Sequence, residues 1–120
     1  MNDTTKKSIL ICDDEEGVRE SLNLILEDDY ALDFASSGHE AVNKVANKQY
    51  YGLLLDLKMP EKDGLETLQE IKSLSPDIKV IIITGYQSVE TAVKSVKLGA
   101  IDYITKPFDT SEVKEKVGRL

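Results

Sequence analysis

Short apolar runs alternate with amphipathic stretches five times along the chain. The amphipathic stretches place their apolar residues three or four positions apart, which is the spacing of a helix with one buried face. The apolar runs are short and end at turn-forming or charged residues, as strands do. The pattern predicts five strand–helix units, with strands at 8–12, 31–35, 53–56, 80–83 and 101–105.

The predicted helices are bounded by residues that start or stop helices. The three-residue spacing of a capping pair occurs at Ser37–Glu40, Asp63–Glu66 and Asp109–Glu112. Gly99 suits the position just after the fourth helix, where many helices end in a left-handed backbone conformation. The buried stripe of that helix is predicted to consist of Val89, Ala92, Val93 and Val96.

The five strands differ in how apolar they are. The first, third and fourth are continuous apolar runs, which is typical of strands buried on both faces by helices. The second and fifth are weaker and belong nearer the edges of a sheet. Because crossovers between parallel strands are right-handed, the economical fold is an α/β protein with a doubly wound, five-stranded parallel sheet in three αβα layers. Periodicity alone leaves the strand order open.

Composition narrows the class of protein. One domain fits 120 residues, and we divide the chain into a short polar tail, 1–7, and a folded domain, 8–120. The formal charge of −7 and the lack of a long basic run argue against direct binding of nucleic acid. The single cysteine, Cys12, excludes an internal disulfide or a cysteine-based zinc site. With no signal peptide and no membrane-spanning apolar stretch, we expect a cytoplasmic protein.

Polar residues stand where four of the predicted strands end. Asp13 and Asp14 follow the first strand, Asp56 ends the third, Thr84 follows the fourth and Lys106 follows the fifth. In an open parallel sheet the ligand crevice lies beyond the carboxyl ends of the strands, so we expect these side chains to converge. Carboxylate oxygens suit Mg²⁺, and a hydroxyl and an ammonium beside the metal would complete a site for phosphoryl oxygens.

Each of these residues also has a purely structural interpretation. The acidic run 13–16 suits the start of the first helix, where it would cap the helix and complement its dipole. Asp56 is equally consistent with a strand-ending cap, Thr84 with a β-forming residue and Lys106 with a solvated surface lysine. Their shared position at the ends of strands, rather than the beginnings, favours the functional interpretation.

Common nucleotide and hydrolase motifs are absent from the sequence. It contains no G-x-x-x-x-G-K-[ST] loop, no G-x-G-x-x-G at the first helix and no G-x-S-x-G elbow. The crevice is therefore not predicted to be a P-loop, dinucleotide or serine-hydrolase site.

Five motifs follow one another along the chain: Asp13-Asp14, Asp56-Leu-Lys-Met-Pro60, Asp63-Gly64, Thr84-Gly85 and Lys106-Pro107-Phe108. Together they resemble the receiver domain of two-component response regulators, and the resemblance extends over 8–120. Within that family the chain is most similar to receivers of the nitrogen-regulatory type, which are fused to transcriptional activators. The segments that carry this finer resemblance are 84–86, 92–93 and 98–108.

The resemblance implies a flavodoxin-like strand order, 2-1-3-4-5, and it assigns roles at the crevice. Asp56 would accept a phosphoryl group from a sensor histidine kinase or a phosphotransfer protein. Asp13, Asp14 and Asp56, with the backbone carbonyl of Lys58, would bind Mg²⁺, for which Mn²⁺ is a substitute.

The resemblance also implies a conformational switch. Thr84 and Lys106 would bind phosphoryl oxygens, and a cis peptide bond between Lys106 and Pro107 would aim the lysine inward. Tyr103 would turn inward as Thr84 moves, so the face formed by the fourth helix, fifth strand and fifth helix would change. Such a domain would act by controlling an output domain, and through it transcription, and would not be a classical enzyme that turns over a substrate. That face, or the fifth helix alone, would also serve a homodimer.

Two positions of the chain depart from the commoner family pattern. Gly85 stands where Ala is more usual, which loosens the loop into the fourth helix. Lys58 and Tyr86, two positions beyond Asp56 and Thr84, are bulky enough to screen attacking water. We therefore expect a comparatively long-lived phosphorylated state.

Two other functional hypotheses remain at this point. Because the sequence stops at Leu120, only about three turns into the fifth helix, we expect a receiver cut from a longer regulator, and a free-standing receiver is the alternative. A metal-dependent phosphohydrolase of the haloacid-dehalogenase kind would also use Asp56 as its nucleophile. Such an enzyme needs a second Asp two residues later, and Lys58 stands there instead.

Overall fold

The structure, a computed structural model, describes residues 6–59, 64–85 and 89–120. Strands and helices alternate in chain order, and each strand lies within two residues of its predicted position. The strands are β1 (Lys7–Cys12), β2 (Tyr30–Ala35), β3 (Gly52–Asp56), β4 (Lys79–Gly85) and β5 (Asp102–Lys106). The helices are α1 (Glu16–Leu26), α2 (Gly38–Asn47), α3 (Gly64–Leu74), α4 (Val89–Lys97) and α5 (Thr110–Gly118). In the described ranges no helix is long and apolar enough to cross a membrane.

The strands form one parallel sheet in the order β2-β1-β3-β4-β5. This confirms the predicted doubly wound fold and the flavodoxin-like order. The two weaker strands, β2 and β5, form the edges as expected. Every residue of β3, the central strand, is buried, because helices cover both faces of the sheet.

Alternate residues of the inner strands pack into two separate cores. Leu53 and Leu55 belong to a core that contains residues of α2 and α3. Leu54, between them, belongs to a second core with residues of α1 and α5. Successive side chains of a strand point to opposite faces, so a continuous leucine run supplies both layers at once.

The predicted capping box of α2 forms only in part. The hydroxyl of Ser37 accepts a hydrogen bond from the backbone N–H of Glu40 at 3.1 Å. The carboxylate of Glu40 accepts from the backbone N–H of Ser36 at 2.8 Å, instead of from that of Ser37. The return bond of the box is therefore displaced by one residue, and the N-terminus of α2 is still capped.

Two other helix boundaries agree with the sequence. Asp109 caps α5 by accepting from the backbone N–H of Glu112 at 2.7 Å. Gly99, after α4, has a φ of 113°, a conformation that favours glycine. Asp63, predicted to cap α3, lies outside the described residues.

The prediction of a buried stripe on α4 is wrong at two positions. Val93 and Val96 are each 52% exposed, whereas Ser95 is fully buried. The side chains of Val89 and Ala92 lie outside the described part of the chain. Residues three apart share a face of a helix, and this face points to solvent. Periodicity identifies an apolar face without specifying whether the domain's own sheet covers it.

Gly64 begins α3 immediately beside the end of β3. A Cβ at this position would lie 2.5 Å from the Cα of Leu57 and 2.7 Å from its carbonyl oxygen. Non-bonded carbon atoms prefer separations of about 3.5–4.0 Å, so a side chain does not fit here. Because Leu57 lies between Asp56 and Lys58, this close approach also constrains the backbone at the end of β3.

We predict that Gly64→Ala lowers the free energy of unfolding by about 1–3 kcal/mol, the usual cost of overpacking. The control is Gly17→Ala in the first turn of α1, because a Cβ there would have nothing within 4 Å. That exchange should stabilise the helix by roughly 0.5–1 kcal/mol. Denaturant unfolding measures both variants, and equal stabilities would show that position 64 is not constrained.

Candidate functional site

The predicted polar residues lie together at the end of the sheet where the carboxyl ends of the parallel strands meet. Asp13 directly follows β1, Asp56 is the last residue of β3 and Lys106 is the last residue of β5. A cavity of about 350 Å³ opens at this end. It is lined by Asp14, Glu15, Asp56, Lys58, Gly85 and Lys106. The position is the one expected for a ligand crevice in an open parallel sheet.

A larger groove, of about 620 Å³, runs along the outside of α1. Its lining includes Arg19 and the exposed Leu24 of α1, together with Phe34 of β2. The charged groups converge at the smaller cavity instead, so we place the functional site there.

Three carboxylates meet at the cavity. Asp13, Asp14 and Asp56 each present one oxygen, and these oxygens lie within 4.8 Å of one another. Asp13 is fully buried and Asp56 is 2% exposed, whereas Asp14 is exposed. Like charges this close, and largely out of water, oppose ionisation of one another unless positive charge is added. The cluster is thus able to hold a metal ion.

The two oxygens of Asp13 have different environments. Oδ1 accepts a hydrogen bond from the backbone N–H of Glu15 at 2.9 Å. Oδ2 forms an ion pair with the Nζ of Lys106 at 2.9 Å, and in the described part of the chain it has no hydrogen-bond partner. A buried carboxylate oxygen with a free lone pair is well suited to a hard cation such as Mg²⁺.

Lys106 is shared by three carboxylates. Its Nζ lies 2.9 Å from Asp13 Oδ2 and 3.4 Å from both Asp56 Oδ2 and Glu15 Oε1. Burial acts to lower the pKa of Lys106, but the nearby carboxylates of Asp13, Asp56 and Glu15 outweigh it and raise that pKa. Its side chain is 23% exposed, so Lys106 is a charged member of the cluster and not a solvated surface lysine.

Asp56 is held by a backbone donor and by Lys106. Its Oδ1 accepts from the N–H of Lys58 at 2.9 Å, and its Oδ2 faces the ammonium of Lys106. Burial raises the pKa of Asp56 to about 6, and the charge of Asp13 adds to this effect, while the Lys58 N–H and Lys106 act in the opposite direction. The carboxylate is therefore largely ionised at neutral pH, although ionisation costs more than it would in water.

The acidic run 13–16 does not cap α1 with a side chain. Glu15 occupies the N-cap position, and its side chain makes no capping hydrogen bond. Asp13 instead binds the N–H of Glu15, two residues on, and this turn aims the carboxylate at the cavity. The interpretation of this run as a side-chain cap is therefore wrong, whereas Glu16 lies in the first turn of α1, where its charge complements the helix dipole.

Thr84 and Tyr103 are not among the described residues that line the cavity. Thr84 is 4% exposed, and its hydroxyl donates to the carbonyl of Gly85 at 3.3 Å. Tyr103 is 43% exposed and faces outward from β5. The peptide bond between Lys106 and Pro107 is cis, in the form that the resemblance implies. Tyr86 lies outside the described residues.

Cys12 lies beneath the cluster, at the end of β1. Its side chain is fully buried, with Sγ 3.6 Å from the Sδ of Met59. Burial, and then the charge of Asp13, raise the pKa of Cys12 to about 12. The thiol therefore stays protonated and serves as a small apolar group, as expected from its acidic neighbours.

Sequence reasoning missed two residues of the site. Glu15 reaches Lys106, and Arg19 donates from Nη1 to the carbonyl oxygen of Asp13 at 2.7 Å. The signal for Glu15 was its place in the acidic run just beyond β1. Arg19 is a lone basic residue in an acidic segment, at the end of the first turn of the first helix, where its side chain reaches back to the strand end.

The arrangement matches a known protein family. The family model of the response regulator receiver domain matches residues 9–118. A curated relative, the transcriptional regulatory protein ZraR of Salmonella typhimurium, is 41% identical over 111 residues, which cover 92% of this chain and 25% of ZraR. The chain spans about a quarter of the length of the curated relatives that it matches first.

Two solved structures are similar to this chain. NtrX from Brucella abortus has a TM-score of 0.90 and 30% sequence identity, over 96% of this chain and 26% of NtrX. A response regulator protein from Burkholderia pseudomallei has a TM-score of 0.82 and 31% identity, over 90% of this chain and 64% of that one. The latter was crystallised with a phosphorylated aspartic acid, a calcium ion and citrate.

These similarities agree with the order of the sequence motifs and with the strand order. ZraR and NtrX also bear out the predicted resemblance to receivers of the nitrogen-regulatory type. Because the family model covers all five strands and all five helices apart from the first two residues of β1, the chain belongs to the response regulator receiver domain family.

Proposed function

We propose that this receiver is a switch that is turned on by phosphorylation of Asp56. The observation that carries the proposal is the position of that carboxylate. It is buried at the end of the central strand, 3.4 Å from Lys106 and within 4.8 Å of two other aspartates. A phosphorylated aspartic acid in the similar protein from Burkholderia pseudomallei supports the same chemistry here.

The donor is a sensor histidine kinase or a phosphotransfer protein. A carboxylate oxygen of Asp56 attacks the phosphorus of the donor's phosphohistidine, forming a P–O bond as the P–N bond breaks. The leaving imidazole takes up a proton. Lys106 neutralises charge on the transferred group, since phosphoryl transfer depends mainly on positioning and electrostatics.

Asp13, Asp14 and Asp56, with the backbone carbonyl of Lys58, are the residues that would hold Mg²⁺ or its substitute Mn²⁺. The free lone pair of Asp13 Oδ2 supports this assignment, as does the hardness of the oxygen donor set. When bound, the ion would neutralise charge on the phosphoryl oxygens and on the three carboxylates.

Phosphorylation then changes the outer surface of the domain. Lys106 and the hydroxyl of Thr84 move to phosphoryl oxygens, and Tyr103 turns inward behind Thr84. The hydroxyl now bonds Gly85 and the ring is exposed, which is the arrangement expected before phosphorylation. A phosphoryl group adds nearly two negative charges and three strong acceptors, enough to draw both strand ends toward it.

The exposed face next to the switch is the surface that we propose for an output domain or a second copy of the chain. It carries large apolar side chains that are about half exposed: Val93, Val96, Ile101 and Tyr103. ZraR is a transcriptional regulatory protein four times as long, which supports control of transcription by an attached domain. We place this signalling in the cytoplasm. We do not propose that the domain hydrolyses free phosphate esters, because Lys58 stands where such an enzyme would need a general acid.

We predict that Mg²⁺ and a small phosphodonor such as acetyl phosphate add one phosphoryl group to the protein, as seen by intact mass. Asp56→Asn should abolish the adduct, because the amide is not a nucleophile, and Asp14→Asn should slow its formation strongly. Asp77→Asn, an exposed carboxylate just before β4, is the control and should react like the wild type. A full yield of adduct in Asp56→Asn would refute the proposed phosphoacceptor.

We predict that the metal-free protein loses stability as the pH rises from about 4 to about 6. The pKa of Asp56 is about 6 in the folded chain against 3.8 normally, so the folded state binds more protons in this window. Unfolding free energy then falls with pH. Asp56→Asn should remove the fall and be more stable than the wild type at pH 7 by roughly 1–3 kcal/mol.

Urea unfolding between pH 4 and pH 7 in the presence of a chelator measures this pH dependence. Asp77→Asn is again the control and should keep the wild-type profile. If Asp56→Asn kept that profile as well, the titration would belong to another group.

We predict that the phosphorylated state decays more slowly in the wild type than in a variant with Lys58→Asn and Tyr86→Ala. Smaller side chains at both positions should admit the attacking water and shorten the half-life severalfold. Loss of the phosphoryl adduct after removal of the donor gives the half-life. Lys79→Asn, at the start of β4 and so at the opposite end of the strands, controls for the change of charge. Equal half-lives in all three proteins would refute the screening role.

A further inference from the structure

Lys116, on α5, makes four contacts around the exposed ring of Tyr103. Its Nζ donates to the carbonyl oxygen of Tyr103 at 2.6 Å and lies 5.1 Å from the centre of the tyrosine ring. It also lies 3.7 Å from Asp102 Oδ1 and 3.5 Å from Glu112 Oε2. The Lys116 side chain is only 21% exposed, so this ammonium is fixed in place and partly shielded from water.

The backbone of Tyr103 lies on an edge strand, and Lys116 supplies one of its hydrogen-bond partners. β5 is an edge strand, and the outward backbone groups of an edge strand have no neighbouring strand to bind. The carbonyl of Tyr103 is bound by Lys116, and its N–H donates to Asp102 Oδ1 at 2.8 Å. Both backbone groups of Tyr103 are therefore bound by side chains, and the same lysine covers the face of the ring.

The two interactions of Lys116 with Tyr103 respond differently to a movement of the ring. The hydrogen bond to the backbone carbonyl survives a rotation of the side chain, because it does not involve the ring. The cation–π contact exists only while the ring is outward. An interaction made in one of two states favours that state by its full free energy.

We propose that Lys116 is a positioning residue that holds Tyr103 in its exposed orientation and so favours the unphosphorylated form of the domain. The inference rests on the proposed function, in which Tyr103 turns inward on phosphorylation. By linkage, a contact that favours the outward ring over the inward ring by a given factor weakens the binding of a phosphoryl group or its analogue by that factor. A partly exposed cation–π contact corresponds to a factor of about two to five.

The test is a titration with beryllofluoride, an analogue of the phosphoryl group, in the presence of Mg²⁺ and followed by NMR. Lys116→Met keeps the length of the side chain but removes its charge, and we expect it to bind the analogue about two- to five-fold more tightly. Lys116→Arg retains the charge over the ring and should behave like the wild type.

Lys114→Met is the matched control, since it removes the same charge from the same helix. Residue 114 is exposed and lies two positions earlier, which turns it by about 200° around the helix. In a Tyr103→Leu background, Lys116→Met should have no larger effect than Lys114→Met. An equal effect of the two lysines in the wild-type background, or an undiminished Lys116 effect without the ring, would overturn the proposal.

A second readout separates this proposal from the proposed function. Fluorine-labelled tyrosine reports the environment of residue 103 without any phosphoryl analogue, and Lys116→Met should shift its signal toward a more buried state. If the wild type did not bind beryllofluoride at all, the proposed function would fail, while a shift in Lys116→Met would still support the positioning role. An unshifted signal in Lys116→Met would overturn the positioning role whatever the binding result.

Discussion

One ammonium group, that of Lys106, is shared by three carboxylates at the carboxyl-terminal end of the sheet. The rest of the site depends on this excess of negative over positive charge. Asp13 and Asp56 are buried, so water screens their charges poorly. A single lysine does not offset this: burial, and then the charge of Asp13, keep the pKa of Asp56 raised, and Asp13 Oδ2 has no hydrogen-bond partner in the described part of the chain. A site with this deficit of positive charge favours the binding of a cation.

Carboxylates that repel one another must be held together by the rest of the chain. Two of the contacts that hold them are made to the main chain. Arg19 binds the carbonyl of Asp13, and the absence of a side chain at Gly64 lets α3 approach the backbone of Leu57, next to Asp56. Neither contact uses a carboxylate oxygen, whereas Oδ1 of Asp13 and Oδ1 of Asp56 each accept a backbone N–H. On these two residues the oxygens left for a ligand are therefore the two Oδ2 atoms, which face Lys106. The parallel sheet supplies the remaining order, because strands that run in one direction end at one edge.

The sequence predicts the sheet and the charged edge well because both depend on local patterns. The run Leu53-Leu54-Leu55 indicates burial on two faces wherever the strand lies, and charged residues at strand ends need only the parallel direction to converge. Contacts of long range are different. Glu15 meets Lys106 across 91 positions of the chain, and Val93 is exposed on an apolar face that periodicity expects to be covered. Both depend on the packing of whole elements, which no short pattern contains.

Phosphorylation would enlarge the charge imbalance rather than remove it, since the single charge of Asp56 would give way to nearly two. Lys106 would then have two competing partners, the oxygen of Asp13 at 2.9 Å and the phosphoryl oxygens. Asp13 is one of the residues that would hold a cation, and the charge of that cation would offset the carboxylate and leave Lys106 available to the phosphoryl group. Lys106 and Tyr103 are three residues apart on β5. In the proposed switch, a movement of Lys106 at the end of this edge strand would be passed along one short segment to the ring that Lys116 covers.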